Sequence, residues 1–234
     1  MAHRNPLACA DCPVRDRAAC ASLDPAERAE LALIGEHRHL ARGEILFEAG
    51  QAAAECATLM SGAMKVSSVD SEGTERILSL IHPAGFAGEM FAATAHHDVV
   101  ALTECEVCVF PADRYLAALE RFPALGLAVL RRSAEDLYDS RRLIDLMGRR
   151  TAARRVAAFL LAIAEAASTS PCHPATMLDL PLSRAEIGGL LGLTIETVSR
   201  QLSRLQADGV ICRHGPRGIE LLDPARLAAV AALS

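Results

Sequence analysis

The first residues in this chain that can do chemistry are three cysteines. Cys9-x2-Cys12-x7-Cys20 sets three thiols within twelve residues. Three close thiolates can hold three corners of an iron–sulfur cluster or of a zinc ion, and either needs a fourth ligand. The spacing is not that of the common ferredoxins. The fourth ligand has to come from Cys56, Cys105 or Cys108. In Val99–Phe110, strand alternation groups Cys105 with Val99, Val107 and Val109, and Cys108 with Val100, Leu102, Glu104, Glu106 and Phe110. Two glutamates mark the second face as the outer one, so Cys108 can meet the N-terminal segment while Cys105 fills a core. The plain alternative for Cys108 is a small buried hydrophobe. Cys56, Cys105, Cys172 and Cys212 read as structural. Cys172-His173, held between prolines, looks like a zinc fragment without a second pair.

The strongest motif lies near the C-terminus, in Leu182–Leu205. Ser183 with Glu186 is a capping box that starts one helix. Gly192 follows Leu190-Leu191 as a helix-ending glycine should, and Thr194 can cap the next helix. Two short helices joined by so tight a turn, with small Gly188 where they cross, predict a helix-turn-helix. Val198, Leu202 and Leu205 fall at i, i+4 and i+7 and face a core. Glu196, Ser199, Arg200 and Ser203 project from the other side, where a recognition helix meets base edges of double-stranded DNA. Arg200 suits the O6 and N7 acceptors of guanine, and Glu196 can accept from the cytosine amino group. Gly209-Val210-Ile211 and Gly218–Leu221, separated by His214-Gly215-Pro216-Arg217, read as a two-stranded wing.

These residues need elements to carry them. A chain of 234 residues can build two modest cores. Residues 1–22 form a cysteine-rich segment. Asp24-Pro25 with Glu27 starts a helix. Residues 40–111 read as short strands broken by glycine, including Glu44–Phe47, Ala57–Met60, Met64–Val69 and Arg76–Ile81, which predicts an antiparallel β-roll of the jelly-roll type over 23–120. A long helix follows from about Pro123 to Gly148, inside a segment 121–148. Leu130, Leu137 and Ile144 stand seven residues apart on it, and so narrow a stripe among charges predicts a helix–helix seam and a homodimer. A second helix, about Thr151–Ala167, carries Val156, Phe159, Leu160 and Ile163 on one face. Ser168–Pro174 reads as a loop, and residues 149–234 as the winged helix-turn-helix domain. The whole is an α+β chain.

Charge divides along the same line. Residues 149–234 hold 10 Lys and Arg against 7 Asp and Glu, whereas residues 1–148 hold 14 against 22. An acidic sensor followed by a mildly basic nucleic-acid module fits that balance. No run approaches the roughly 20 apolar residues of a membrane span, and the start lacks a secretory apolar core. A cytoplasmic chain with reduced thiols is expected. No nucleophile–base set, P-loop, dinucleotide fingerprint or HExxH motif is present, so an enzyme is not expected. His96 and His97 can in principle ligate haem iron, which leaves haem or a small ligand as the alternative signal for the same fold.

Ile195-Glu196-Thr197-Val198-Ser199-Arg200 resembles the E-x-x-S-R signature of FNR-type regulators, within the CRP/FNR transcription regulator superfamily; the cyclic-AMP receptor branch has glycine where Ser199 stands. The order roll, long helix, helix-turn-helix, wing is similar over essentially the whole chain. The resemblance implies reading of TTGAT-like palindromes by Glu196, Ser199 and Arg200, and RNA polymerase as a further partner. The Cys-Ala-Asp-Cys-Pro-Val-Arg run resembles the N-terminal cysteines of FNR proteins, and Cys-x-x-Pro at Cys108–Pro111 the cysteine that precedes a proline there. That implies an oxygen-labile 4Fe–4S cluster on Cys9, Cys12, Cys20 and Cys108 that favours the DNA-binding dimer. The family's helix aspartate matches Ser140 here, which implies a less strictly switched dimer. Phe86-Ala87-Gly88-Glu89 resembles the Gly-Glu of the cyclic-nucleotide cassette. The Arg-Ser pair that would hold the cyclic phosphate is replaced by Thr94-Ala95-His96-His97-Asp98, so cyclic nucleotide binding is not expected.

Overall fold

A computed structural model of the protein describes residues 9, 11–73, 75–149, 151–167 and 175–232. The predicted Ser168–Pro174 loop, with Cys172-His173, lies outside them. The chain divides into two compact units, residues 1–139 and 140–234, and the boundary falls inside the long helix.

The first unit opens with a 3-10 turn, Ala19–Ser22, and helix α1, Pro25–Ile34. Asp24 caps α1 through Ala26 N and Glu27 N, and Glu27 bonds back to Asp24 N, so the predicted start holds. Strands β1 (Glu36–Leu40), β2 (Ile45–Phe47), β3 (Glu55–Ser61), β4 (Met64–Val69), β5 (Glu75–Ile81), β6 (Phe86–Ala87), β7 (Asp98–Ala101) and β8 (Cys105–Pro111) follow. They pair antiparallel into two four-stranded sheets, ordered β1-β8-β3-β6 and β2-β7-β4-β5. Leu40, Leu59, Met64, Val99, Cys105, Val107 and Val109 are among the buried side chains that meet between the sheets. The β-roll of the sequence reading is therefore present. Strands begin earlier than 40, because β1 carries alternating polar residues (Glu36, His37, Arg38, His39) that hid it.

The stretch Val99–Phe110 is not one strand. Leu102-Thr103-Glu104 turns between β7 and β8, which lie in different sheets. Leu102 and Phe110, expected outward, are buried at 1% and 4% exposure. Leu102 lies in that turn, whereas Phe110 is covered by helix α1, Pro25–Ile34, and by α2, Ala112–Arg121, a helix that the sequence pattern did not reveal. Cys105 and Cys108 nevertheless stand on opposite faces of β8: Cys105 is fully buried in the roll, and Cys108 is half-buried on the other side.

Helix α3 runs Pro123–Arg149, about 40 Å at 1.5 Å per residue. Its first turns are anchored by Leu125 and Val129 in a cluster with Leu23, Leu31, Cys56, Phe110 and Tyr115. Farther along, Leu130, Leu137 and Ile144 are 65%, 50% and 65% exposed in the single chain.

In the second unit, α4 (Ala152–Ala167) packs on α6 (Ile195–Ala207), on α7 (Pro224–Ala232) and on β9 (Met177–Asp179). Helix α5 spans Arg184–Leu191. Strands β10 (Ile211–His214) and β11 (Gly218–Leu221) form the wing hairpin, but β9 joins β11, so the wing sheet has three strands where two were expected. A three-residue strand beside the loop carries too little pattern to announce itself. No helix among the described residues is long and apolar enough to cross a membrane.

Gly62, between β3 and β4, has φ +91, and a Cβ there would sit 2.3 Å from Glu104 O and 2.7 Å from Cys105 Sγ. Gly43 has a similar φ of +86 with open space around it. Gly43→Ala is expected to cost about 1 kcal/mol from backbone strain alone, and Gly62→Ala roughly 2–4 kcal/mol from strain plus overpacking. Urea unfolding of both variants measures the difference.

Candidate thiol site and nucleic-acid-reading face

Residues 12–23 wind onto the roll instead of trailing from it. Val14 and Ala18 are buried against Ala84, with Cys12, Cys20 and Met60 at the margin. Successive backbone bonds, Arg15 N to Cys12 O and Ala18 N to Val14 O, curl the segment so that its cysteines lie on one side. Arg28 of α1 then fixes it, donating from Nε to Cys20 O at 3.2 Å and from Nη2 to Leu23 O at 3.0 Å. Cys108 faces this segment from β8, its Sγ 3.3 Å from Met60 Sδ.

Burial pushes the Cys108 thiol up to about 12, and the charges of Cys12, Cys9 and Cys20 each add to the rise. All four sulfurs are thus within electrostatic reach of one another. Cys20 is raised by burial and then by Cys12 and Cys9, with Arg28 opposing. Cys9 is raised by burial and Cys12, while Arg28 and Arg15 pull it down. Cys56, the other candidate on the outer side, is buried among α2 side chains and pushed up to about 12 by burial. Cys105 is sealed inside the roll and donates to Ala63 O at 3.3 Å. No described cysteine is in a disulfide.

The donor set is all sulfur, which selects iron–sulfur clusters or zinc. A single zinc ion with bonds of about 2.3 Å draws its sulfurs to roughly 3.8 Å from one another. Among the described residues, only Cys212, His214 and Glu220 place three ligand atoms within 4.8 Å of each other. No three of the N-terminal thiols stand as close as that. Arg28 and Met60 were not singled out from sequence, since each meets the thiols only through long-range folding.

The reading face is built by caps. Ser183 accepts from Glu186 N, and Glu186 accepts from Ser183 N at 2.7 Å. Gly192 ends α5 in the left-handed region at φ +62. A Cβ on Gly188 would lie 2.6 Å from Leu193 O, so glycine there lets the turn close over the helix. Thr194 accepts from Thr197 N and caps α6. Arg155 of α4 donates to Leu191 O at 3.0 Å, tying the end of α5 to the core. Val198, Leu202 and Leu205 are buried, and Glu196, Arg200 and Ser203 are exposed, with Ser199 at the border. Arg200 reaches back to Thr197 Oγ1 at 3.4 Å. Glu196 is held below the usual carboxylate range by hydrogen bonds from its own backbone and Thr194. In the wing, Arg213 donates to Gln206 Oε1 at 2.6 Å.

The Gly88-Glu89 element is closed on itself. Gly88, at φ +115, packs where a Cβ would meet Cys56 Cα at 2.9 Å. Glu89 bonds to His97 Nδ1 at 2.8 Å, to His96 Nδ1 and to His96 N. Burial acts to raise this carboxyl, but the two histidines outweigh it and hold it low. Both histidine rings are turned to Glu89.

Two family matches cover most of the chain: a Crp-like helix-turn-helix domain over residues 154–230 and a cyclic nucleotide-binding domain over 37–122. The chain is 33% identical to the transcriptional activator protein FnrL of Cereibacter sphaeroides, covering 94% of this chain and 90% of that one. It is 34% identical to the nitrogen fixation regulation protein FixK of Bradyrhizobium diazoefficiens, covering 96% and 94%. Its fold matches the structure of FixK2 from Bradyrhizobium japonicum with a TM-score of 0.78 at 26% identity, over 86% of this chain and 99% of that chain.

Thiol accessibility gives a check on the placement. In the reduced, metal-free chain an alkylating reagent is expected to modify Cys9 and Cys12 well before Cys108, Cys56 or Cys105, because reactivity follows the exposed thiolate. Peptide mass mapping over time reads the order; early labelling of Cys108 would remove it from the half-buried position described.

Proposed function

Since the chain belongs to the CRP/FNR family of transcription regulators, we propose that it is a dimeric transcriptional activator that responds to oxygen through a 4Fe–4S cluster on Cys9, Cys12, Cys20 and Cys108. One observation carries the reading: Cys108 stands on the outer face of β8, within electrostatic reach of all three N-terminal cysteines. When bound, a 4Fe–4S cluster supplies a bridge between the N-terminal segment and β8 that oxygen can dismantle.

The chain's own residues do the rest. Leu23 and Cys20 of the N-terminal segment share a packed layer with Leu125 and Val129, so seating the segment supports the root of α3. Leu130, Leu137 and Ile144 then supply the seam with a second α3. Beside them Glu135 and Asp136 lie 3.6 and 3.3 Å from Arg132. Burial raises the Asp136 carboxyl, with Arg132 opposing, and the charges of Asp139 and Glu135 add to the rise. This acidic run supplies repulsion that the apolar seam has to overcome. In the dimer, Glu196, Ser199, Arg200 and Ser203 of two α6 helices read half-sites of a TTGAT-like palindrome about one DNA turn apart. RNA polymerase is the further partner an activator needs. The relatives named as activators support this reading, and the nearness of Cys108 to the three N-terminal cysteines supports a cluster within it.

Replacing Cys9, Cys12, Cys20 or Cys108 by Ser is expected to abolish bound iron and sulfide and anaerobic DNA binding, whereas Cys105→Ser keeps both. Iron retained in Cys108→Ser but lost in Cys105→Ser would overturn the ligand set.

Arg200→Ala is expected to lose roughly 1–3 kcal/mol per half-site and to relax preference at one base pair. Binding to duplexes with each base of TTGAT varied, at fixed salt, measures it. An equal loss on every duplex would make Arg200 a phosphate contact instead.

A further inference from the structure

The wing carries a second constellation that the reading of DNA does not use. In the β10–β11 hairpin Cys212 pairs directly with Glu220, and His214 with Gly218. Cys212 and His214 are two residues apart on one strand, so they share a face with Glu220. The opposite face buries Ile219 and Leu221 is likewise buried, which leaves these three polar side chains turned from the core. His214 Nε2 lies 2.9 Å from Glu220 Oε2, and Sγ, imidazole nitrogen and carboxylate oxygen all fall within 4.8 Å of one another.

A surface hairpin needs no more than the His–Glu pair for cross-strand support. A thiol brought to the same point adds a third donor of a different kind. Sulfur, nitrogen and oxygen together suit a borderline-soft divalent ion. Ligand atoms on one zinc ion lie roughly 3.3–3.8 Å apart for bonds of about 2.0–2.3 Å. The observed set, within 4.8 Å, is about 1 Å wider than that.

We propose that Cys212, His214 and Glu220 form a zinc-class binding site on the wing, independent of the N-terminal cysteines. Binding a divalent ion converts the Cys212 thiol to a metal thiolate and releases its proton to water. The hairpin therefore becomes more positive by one charge. The site stands whether or not the oxygen-sensing reading holds. Its consequence, a wing drawn more strongly to phosphate at low salt, rests on that reading's DNA contact.

Cobalt(II) is the probe, because a cobalt–thiolate bond gives a charge-transfer absorption. The full chain carrying Cys9→Ser, Cys12→Ser and Cys20→Ser is titrated under reducing, oxygen-free conditions. One equivalent of cobalt with a thiolate band is expected, displaced by zinc. Adding Cys212→Ser abolishes the band, and His214→Gln or Glu220→Gln weakens binding at least about tenfold, the least that even outer-shell partners of a metal are worth. Absence of the band, or a band that survives Cys212→Ser, overturns the proposal. Should the triple variant not fold, the unmodified chain is used. There Cys212→Ser is expected to lower bound cobalt by one equivalent, and an unchanged stoichiometry overturns the site.

Discussion

The apolar layer beneath the outer face of β8 is the constraint on which the first unit depends. Leu23, Leu31, Cys56, Phe110, Tyr115, Leu125 and Val129 close it, with Cys20 and Cys108 at its edge. Tyr115 sits at its centre, its ring 5.1 Å from Phe110 and 5.7 Å from Phe86. The layer joins three things that are far apart in sequence: the thiol-bearing segment, the strand that offers the fourth thiol, and the first turns of α3. Packed interiors have little free volume, so a side chain at one edge cannot change its seating without the others responding. The same dehydration makes the thiols hard to ionise. Cys108 in particular resists ionisation, which makes it a poor nucleophile.

The roll matches a known binding fold. Its strands and its Gly88-Glu89 element match a cyclic nucleotide-binding domain. The Glu89 carboxylate is met by His96 and His97. Against the effect of burial, those contacts hold the Glu89 carboxyl below the usual carboxylate range.

What the sequence disclosed followed from local pattern. Asp24 with Glu27, Ser183 with Glu186, Thr194 and Gly192 each act within one turn of chain, and each cap lies where its residue type demands. The alternation around Cys105 and Cys108 was legible because β8 is an interior strand, paired with β1 on one edge and β3 on the other. The misreadings came from tertiary context. Phe110 looks outward by alternation and is inward because α1 and α2 cover it. β1 is polar along most of its length, and β9 has only three residues, so neither shows a usable period. Arg28 and Met60 have no local signature at all, although they shape the thiol site. The wing trio escaped for the same reason: Cys212 and Glu220 meet only through the register of a hairpin.

Helix α5 has eight residues and α6 thirteen. Helices of that length are marginal by themselves in water, because nucleation costs more than a few turns return. Their order is lent by α4, through Arg155 at the end of α5 and the buried Val198, Leu202 and Leu205 of α6. The surface that meets bases is therefore not a rigid part mounted on a flexible one. It shares a single cooperative opening with the core behind it, so local melting and loss of the reading surface are the same event. Heat or a destabilising core substitution then weakens recognition as a population effect, with no base contact altered.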